Sequence, residues 1–429
     1  MRYILLALCA LELLFITYWQ NLAGPYISPL LFLITSISIG IVFLKTAHTP
    51  AIPTPLKRTL SLNIISASQI AIFAALAYIV IKTLKTIWWW DATQDTGIDK
   101  SDIIQQIAIL VNRFLAGQQP YTIIHFKDYD LFPTYLPFQW MPYILTELTH
   151  KDYRWVPASA LLLSSLYFFI KHSRQLRQEN IPIVIKLLLP VWPLIAWYTA
   201  IMYFNPIFKL SVEGLIAAYY LFVATSIGSR RVLPLAMGIA ACLLSRYSII
   251  FWVPLCLAAF YIAGQKKKAF TITLTLLAFF FLFYWLPFMR KDPLIFLHGY
   301  QYHSVAALRE WQNDIQILHS KFYLMNGLGF TSWALKLLPG DLKNILGVYQ
   351  LIHLSVCIIT VTSLLVYYRL KRASLPLNTF LLFSLKIYLA VFYAFIQIPY
   401  KYLYLVPVII SSSLLANAFN SKWNKSPEF

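Results

Sequence analysis

The chain has 429 residues, 59% hydrophobic and 12% charged, with a formal net charge of +19. Soluble domains run near ~45–50% apolar and ~25% charged, and a soluble interior cannot hide this excess, so part of it faces lipid. That excludes a cytosolic enzyme, a disordered chain and a secreted disulfide scaffold, and it assigns the positive charge to the cytoplasmic side of a membrane, with no nucleic-acid partner.

A membrane span needs about 20 apolar residues, within ~17–25. Runs of this kind occupy 3–19, 28–44, 61–84, 155–170, 182–203, 209–227, 269–288, 346–368, 375–397 and 401–418. The stretch 232–264 holds two further short spans with Arg246 at the turn between them. The expected fold class is all-α: one polytopic membrane domain over 1–429, with about 12 transmembrane helices. Residues 3–19 are read as retained, because no small-residue cleavage site follows and a second span comes at once. Cys9, Cys242, Cys256 and Cys357 sit in apolar runs without CxxC spacing and are read as small buried hydrophobes.

Residues 134–148 (TYLPFQWMPYILTEL) are apolar but short, and they carry Pro137 and Pro142. If they crossed, Lys171, Arg174, Arg177 and every later basic loop would change sides. If they lie in the interface, 17 basic residues face two acids, Glu179 and Glu428, on the inner side, while the outer loops 85–154 and 290–344 balance at 12 basic and 12 acidic. That asymmetry selects both termini inside and 134–148 as a re-entrant or surface helix.

The first outer loop, 85–154, opens with an aromatic belt of Trp88, Trp89 and Trp90. Asp91, Asp95, Asp99 and Asp102 follow within 12 positions, a quarter of the 16 acidic residues. Residues 102–115 then read as an amphipathic helix. Ile103, Ile104, Ile107, Leu110, Val111, Phe114 and Leu115 form its apolar face; Gln105, Gln106, Asn112 and Arg113 form the other; Gly117 ends it. The helix is about 21 Å long at ~1.5 Å per residue and suits the membrane surface. Asp99 has the spacing of an N-cap, with Asp102 at N3; a carboxylate held at a helix start also suits a catalytic base.

At these residues the chain resembles the GT-C superfamily of integral-membrane glycosyltransferases, and within it the polyprenyl-phosphate-mannose-dependent, alpha-1,2-mannosyltransferase-like branch. The pattern is Asp102, the helix to Leu115, Gly117-Gln-Gln-Pro120-Tyr121, then Tyr135-Leu-Pro137 opening a second surface helix. It covers mainly 99–145. Two departures stand out. The family's loop usually follows its first span and here follows the third, which implies an extra N-terminal hairpin over 1–60. The family's tyrosine shortly after the aspartate is replaced by Gln105 and Gln106. The resemblance implies an inverting transfer from a polyprenyl-phosphate sugar donor to a lipid-linked or glycan acceptor hydroxyl, with Asp102, or else Asp99, as general base. If a metal takes part, Mg²⁺ or Mn²⁺ on Asp99 and Asp102 is the expected site; no other cofactor is expected.

The leaving lipid phosphate needs a cation at the outer interface. Arg246 interrupts an apolar run at the predicted outer turn and is the first candidate; the plain alternative is an arginine snorkelling to headgroups. In the second outer loop Lys291, His298 and His303 stand among aromatics, and Tyr135 is a further substrate contact. Lys209 and Glu213 are one turn apart and are expected to pair, with Glu213 an outlying site candidate. A cell-envelope polysaccharide polymerase or flippase, or a 12-span transporter with related halves, are the competing readings. No N-x-S/T sequon occurs in the outer loops and no ER-retrieval ending is present, which points to a bacterial inner membrane with the site on the periplasmic side.

Overall fold

Lipid offers the backbone no hydrogen bonds, so apolar runs of this length fold as helices that satisfy their own peptide groups. The computed structural model describes residues 1–17, 23–48, 61–93, 102–126, 130–203, 211–316, 324, 327–421 and 423. In chain order the helices are α1 (Arg2–Thr17), α2 (Gly24–His48), α3 (Leu62–Thr93), α4 (Asp102–Leu115), α5 (Pro137–Trp140), α6 (Ile144–Leu148) and α7 (Trp155–Arg177). Next come α8 (Ile183–Leu188), α9 (Trp192–Tyr203), α10 (Glu213–Ser226), α11 (Leu233–Leu243), α12 (Trp252–Ile262) and α13 (Lys266–Phe280). The last are α14 (Ile295–Gln316), α15 (Thr331–Leu337), α16 (Leu342–Lys371), α17 (Leu377–Ala394) and α18 (Leu405–Ala418). Among the described residues the only strands are Ile124–His125 and Asp130–Leu131, paired antiparallel. The fold is all-α and polytopic, as the sequence predicts.

Seven helical stretches among the described residues are long and apolar enough to cross a membrane: Gly24–Thr46, Leu62–Trp88, Ile183–Tyr203, Lys266–Met289, Leu342–Lys371, Leu377–Ala394 and Lys401–Ala418. The other expected spans are helices too, but three are short. At ~1.5 Å per residue α10 is about 21 Å long, and α11 and α12 about 16 Å each, against ~30 Å of hydrocarbon. The two short spans expected in 232–264 are two half-length helices meeting at residues 244–251, with Arg246 in the turn between them.

Hydrogen bonds gather the helix ends on two faces. On one, which carries the basic clusters, Lys171 Nζ donates to the Ile227 carbonyl (3.1 Å), Arg372 Nη1 to the Ile262 carbonyl (3.1 Å) and Ser421 Oγ to Glu179 Oε1 (2.9 Å). On the other, the loop face, Trp333 Nε1 donates to the Tyr26 carbonyl (2.8 Å) and Trp311 Nε1 to the Gln397 carbonyl (2.9 Å). The end of α3 meets the start of α7 on this face, with Trp88 and Trp155 edge to face at 5.1 Å and Arg154 over the Trp88 ring.

Segment 134–148 forms α5, a 3₁₀ turn over Met141–Tyr143, and α6. It lies across the ends of the short helices. The Phe138 N–H donates to the Leu244 carbonyl (2.8 Å) and the Tyr219 hydroxyl to the Phe138 carbonyl (3.1 Å). Helix α4 packs on this segment through Ile107, Leu110 and Val111, all fully buried. Gln106, expected on its polar face, is buried as well. Gly117 has φ +71°, with Gln118 N–H on the Arg113 carbonyl at 2.8 Å, so it ends the helix in the left-handed turn that glycine favours.

The N-terminal hairpin belongs to the core: α1 and α2 pack against α17 and α18. There Glu12 and Lys386, both 0% exposed, form an ion pair. Ser36 and Ser411 donate to the same carboxylate, and Lys386 Nζ also donates to the Pro407 carbonyl (2.8 Å).

Candidate functional site: a cavity at the loop face

Shortening α10, α11 and α12 leaves room that segment 134–148 roofs only in part. A cavity of about 330 Å³ remains. Tyr135 and Gln139 line it from the roof, Arg246, Tyr247 and Ser248 from the turn between α11 and α12, and Tyr300 from α14. Gln350 and His353 contribute from α16, and Phe392, Ile396, Gln397, Ile398 and Tyr400 from α17 and the stretch after it. It is open: Tyr300, on its rim, is 51% exposed.

Arg246 reaches the cavity because the α11 helix stops before it. Its backbone is extended (φ −154°, ψ 142°), and its N–H still bonds the Cys242 carbonyl (2.9 Å). The guanidinium meets Glu213 end on, Nη1 to Oε1 and Nη2 to Oε2, both at 2.9 Å. Glu213 is fully buried in the first turn of α10, where the helix dipole favours a carboxylate. The expected partner of Glu213 was Lys209, one turn earlier; the described partner is Arg246, brought in from 33 residues along the chain, and Lys209 lies outside the described residues. Behind the pair, Ser248 Oγ joins the hydroxyls of Tyr220 (2.7 Å) and Tyr393 (3.2 Å).

The motif residues of the first loop hold the roof together. Tyr121 donates to the Tyr135 carbonyl (2.9 Å) and accepts from Trp140 Nε1 (3.1 Å). Burial pushes its phenol well above the ordinary range, so it acts as a neutral strut. Arg113 donates to the carbonyls of Pro120 (3.2 Å), Thr122 (2.8 Å) and Ile123 (3.0 Å), tying the turn to α4. Tyr284 and Phe288 press on Tyr121 from a wide π-helical stretch, Phe281–Met289. Pro287 inside it has no N–H for a regular helical bond.

Of the sequence-predicted residues, the cavity therefore collects Tyr135 and Arg246, with Glu213 directly behind. Asp102 is exposed in the first turn of α4 and does not line the cavity. Asp99 lies outside the described residues. Lys291 is exposed and away from the lining. His298 pairs with Asp292 (3.2 Å) beside the rim; His303 is on α14, its side chain outside the description. Among the described residues no group of three His, Cys, Asp or Glu gathers as a metal site. Sequence reading passed over Gln139, Gln350, His353 and Gln397. The available signal was a polar residue inside or beside an apolar run, which is costly in lipid unless it faces a cavity or partner. No protein-family model, curated protein or solved structure matches the chain.

Proposed function

We propose that the protein is an integral-membrane glycosyltransferase that moves a sugar, with inversion, from a polyprenyl-phosphate donor to a hydroxyl of a lipid-linked or glycan acceptor. On this reading the loop face is the outer face, the periplasmic one if the membrane is a bacterial inner membrane, and mannose is the sugar the motif suggests. The observation that carries the proposal is the cavity with a guanidinium at its floor. A guanidinium has five N–H donors. Glu213 accepts from Nη1 and pairs with Nη2 at 2.9 Å, which fixes the plane and leaves donors for a phosphate oxygen as charge develops on it. Tyrosines and glutamines offer the stacking and hydrogen bonds that a sugar needs, and Leu136, Ile396, Ile398 and Leu403 an apolar wall for the first prenyl units. Its volume, about 330 Å³, lies at the small end of ligand pockets, ~300–1,000 Å³.

The test is transfer of radiolabel from polyprenyl-phosphate mannose, or its glucose counterpart, in membrane vesicles containing the chain. Label should move to vesicle glycolipid or glycan, and Arg246→Ala should abolish donor use with the protein still inserted. Vesicles that transfer none of these sugars above the chain-free background would overturn the proposal. One observation favours a second reading: half-length helices meeting at a charged turn are also how transporters build a binding site. Label accumulating inside sealed vesicles with the donor bond intact would select that reading.

A further inference from the structure

We infer that the basic face carries a binding site for the headgroup of an anionic phospholipid, at the end of α12, where two separate cationic segments meet. The inference stands independently of the glycosyltransferase reading. Lys266, Lys267 and Lys268 open α13, while Arg369, Lys371 and Arg372 lie at the end of α16. The end of α12 joins them. Gly264, at φ +80°, turns the chain out of that helix, with its N–H on the Tyr261 carbonyl (3.0 Å) and the Gln265 N–H on the Phe260 carbonyl (2.9 Å). The turn sets the Lys266 ammonium over the Tyr261 ring, 4.9 Å from its centre. Arg372 Nη1 donates to the carbonyl of the next residue, Ile262 (3.1 Å), across 110 positions of sequence. Two cations from distant segments are thus held on adjacent residues.

No acid of the chain answers them. Neither Asp nor Glu occurs from 214 to 291 or from 342 to 427. Among the described residues none of the six side chains makes an ion pair. Elsewhere on this face the charges are engaged: Lys171 and Lys186 donate to backbone carbonyls, and Glu179 is buried against Ser421. The three lysines also stand at the end of α13 where the helix dipole disfavours cations. An anion fixed among them relieves a repulsion that salt only screens. That anion is a lipid's, because apolar surface runs into the patch. Helices α13 and α16 both pack on α12. What they leave uncovered, wholly or in part, is one stripe of α12: Pro254, Leu257, Ala258 and Tyr261. Phe270, one turn into α13, and Leu370, beside Arg369, are exposed as well. A phospholipid lying on this stripe rests its acyl chains on apolar side chains and its phosphate among ammonium and guanidinium groups, as headgroups do in basic pockets between membrane helices. A free phosphate gains nothing from the stripe.

The test uses the full chain in detergent, equilibrated with equal amounts of phosphatidylglycerol and phosphatidylcholine, and counts the lipids it retains by native mass spectrometry. The wild type should retain phosphatidylglycerol in preference. Lys266→Gln combined with Arg372→Gln should weaken that retention about 25-fold, at roughly five-fold per cation near the surface. Arg174→Gln combined with Arg177→Gln takes the same charge from the same face and should change retention by no more than about two-fold. If losing the Arg372 bond prevents folding, Lys267→Gln with Arg369→Gln, both exposed, replaces that pair of changes with the same expectation. Exchanging chloride for inorganic phosphate at equal ionic strength should leave the retained lipid in place. Three results overturn the inference: no preference for phosphatidylglycerol, equal losses in the patch and control variants, or displacement of the lipid by inorganic phosphate. The second would reduce the patch to general surface charge, and the third would make it a site for free phosphate.

Discussion

Arg246 and Glu213 depend on each other. A carboxylate with no exposure is tolerable because a guanidinium hydrogen-bonds one of its oxygens and lies 2.9 Å from the other, and removing one partner of such a pair typically costs ~3–5 kcal/mol. Arg246 keeps 19% exposure on the cavity side, so water can take up part of the loss. Glu213→Ala should therefore destabilise the detergent-solubilised protein by about 3 kcal/mol, the low end of that range. The double variant with Arg246→Ala should cost less than the sum of the two single changes, and thermal unfolding of all four proteins checks both statements. A strictly additive result would mean that the pair contributes nothing as a pair. Arg246 was legible in the sequence as a charge breaking an apolar run; its partner was not, because a one-turn spacing to Lys209 competed with a tertiary contact that only the turn after α11 creates. Arg113 read as a solvated residue of the polar helix face, yet its three carbonyl bonds fix the turn after Gly117. Arg113→Ala should make residues 117–123 the first site of limited proteolysis on the loop face, where the wild type resists.

At the level of helices, the pair between Glu12 and Lys386 does for the N-terminal hairpin what Arg113 does for a loop. The charges lie 374 residues apart and meet where α1, α2, α17 and α18 pack. Neither Glu12→Gln nor Lys386→Met alone should be tolerated: each should cost about 3–5 kcal/mol, because it strands a charge in the membrane interior. Combining them should recover most of the loss, as measured by unfolding temperature and yield in detergent. Two independent, undiminished losses would show that the residues act separately. The sequence made the hairpin look like an addition to a familiar pattern, since periodicity reports that a run is apolar and not what it packs on. The opposite holds for α4. Its 3.6-residue period and its glycine stop were local signals, and both appear in the structure; Gln106 departs because α5 and α6 cover a face that the isolated helix would leave to water.

For the whole molecule, the segregation of charge predicts which face is which. The four native cysteines are buried, so introduced thiols report alone. A membrane-impermeant maleimide added outside intact cells should label Asp95→Cys and Glu310→Cys and should spare Arg174→Cys; equal labelling at position 174 would refute the assignment. Apolar run lengths gave the all-α, polytopic class but not the depth of each helix, because a half-length helix under a protein roof and a full span in lipid have the same composition. That depth has an electrical consequence. Water in the open cavity carries the potential of the loop face inward, so most of a transmembrane voltage falls across the roughly 16 Å of α11 beneath Arg246 instead of across ~30 Å of hydrocarbon. An anion settling on the guanidinium traverses only a part of the voltage and gains or loses only a part of the ~2.3 kcal/mol per charge that 100 mV supplies. In proteoliposomes of uniform orientation, making the loop-face compartment negative should then tighten the grip on an anionic headgroup slightly, and reversing the voltage should loosen it. The sign of that small change would identify the cavity side of the membrane without any chemical label.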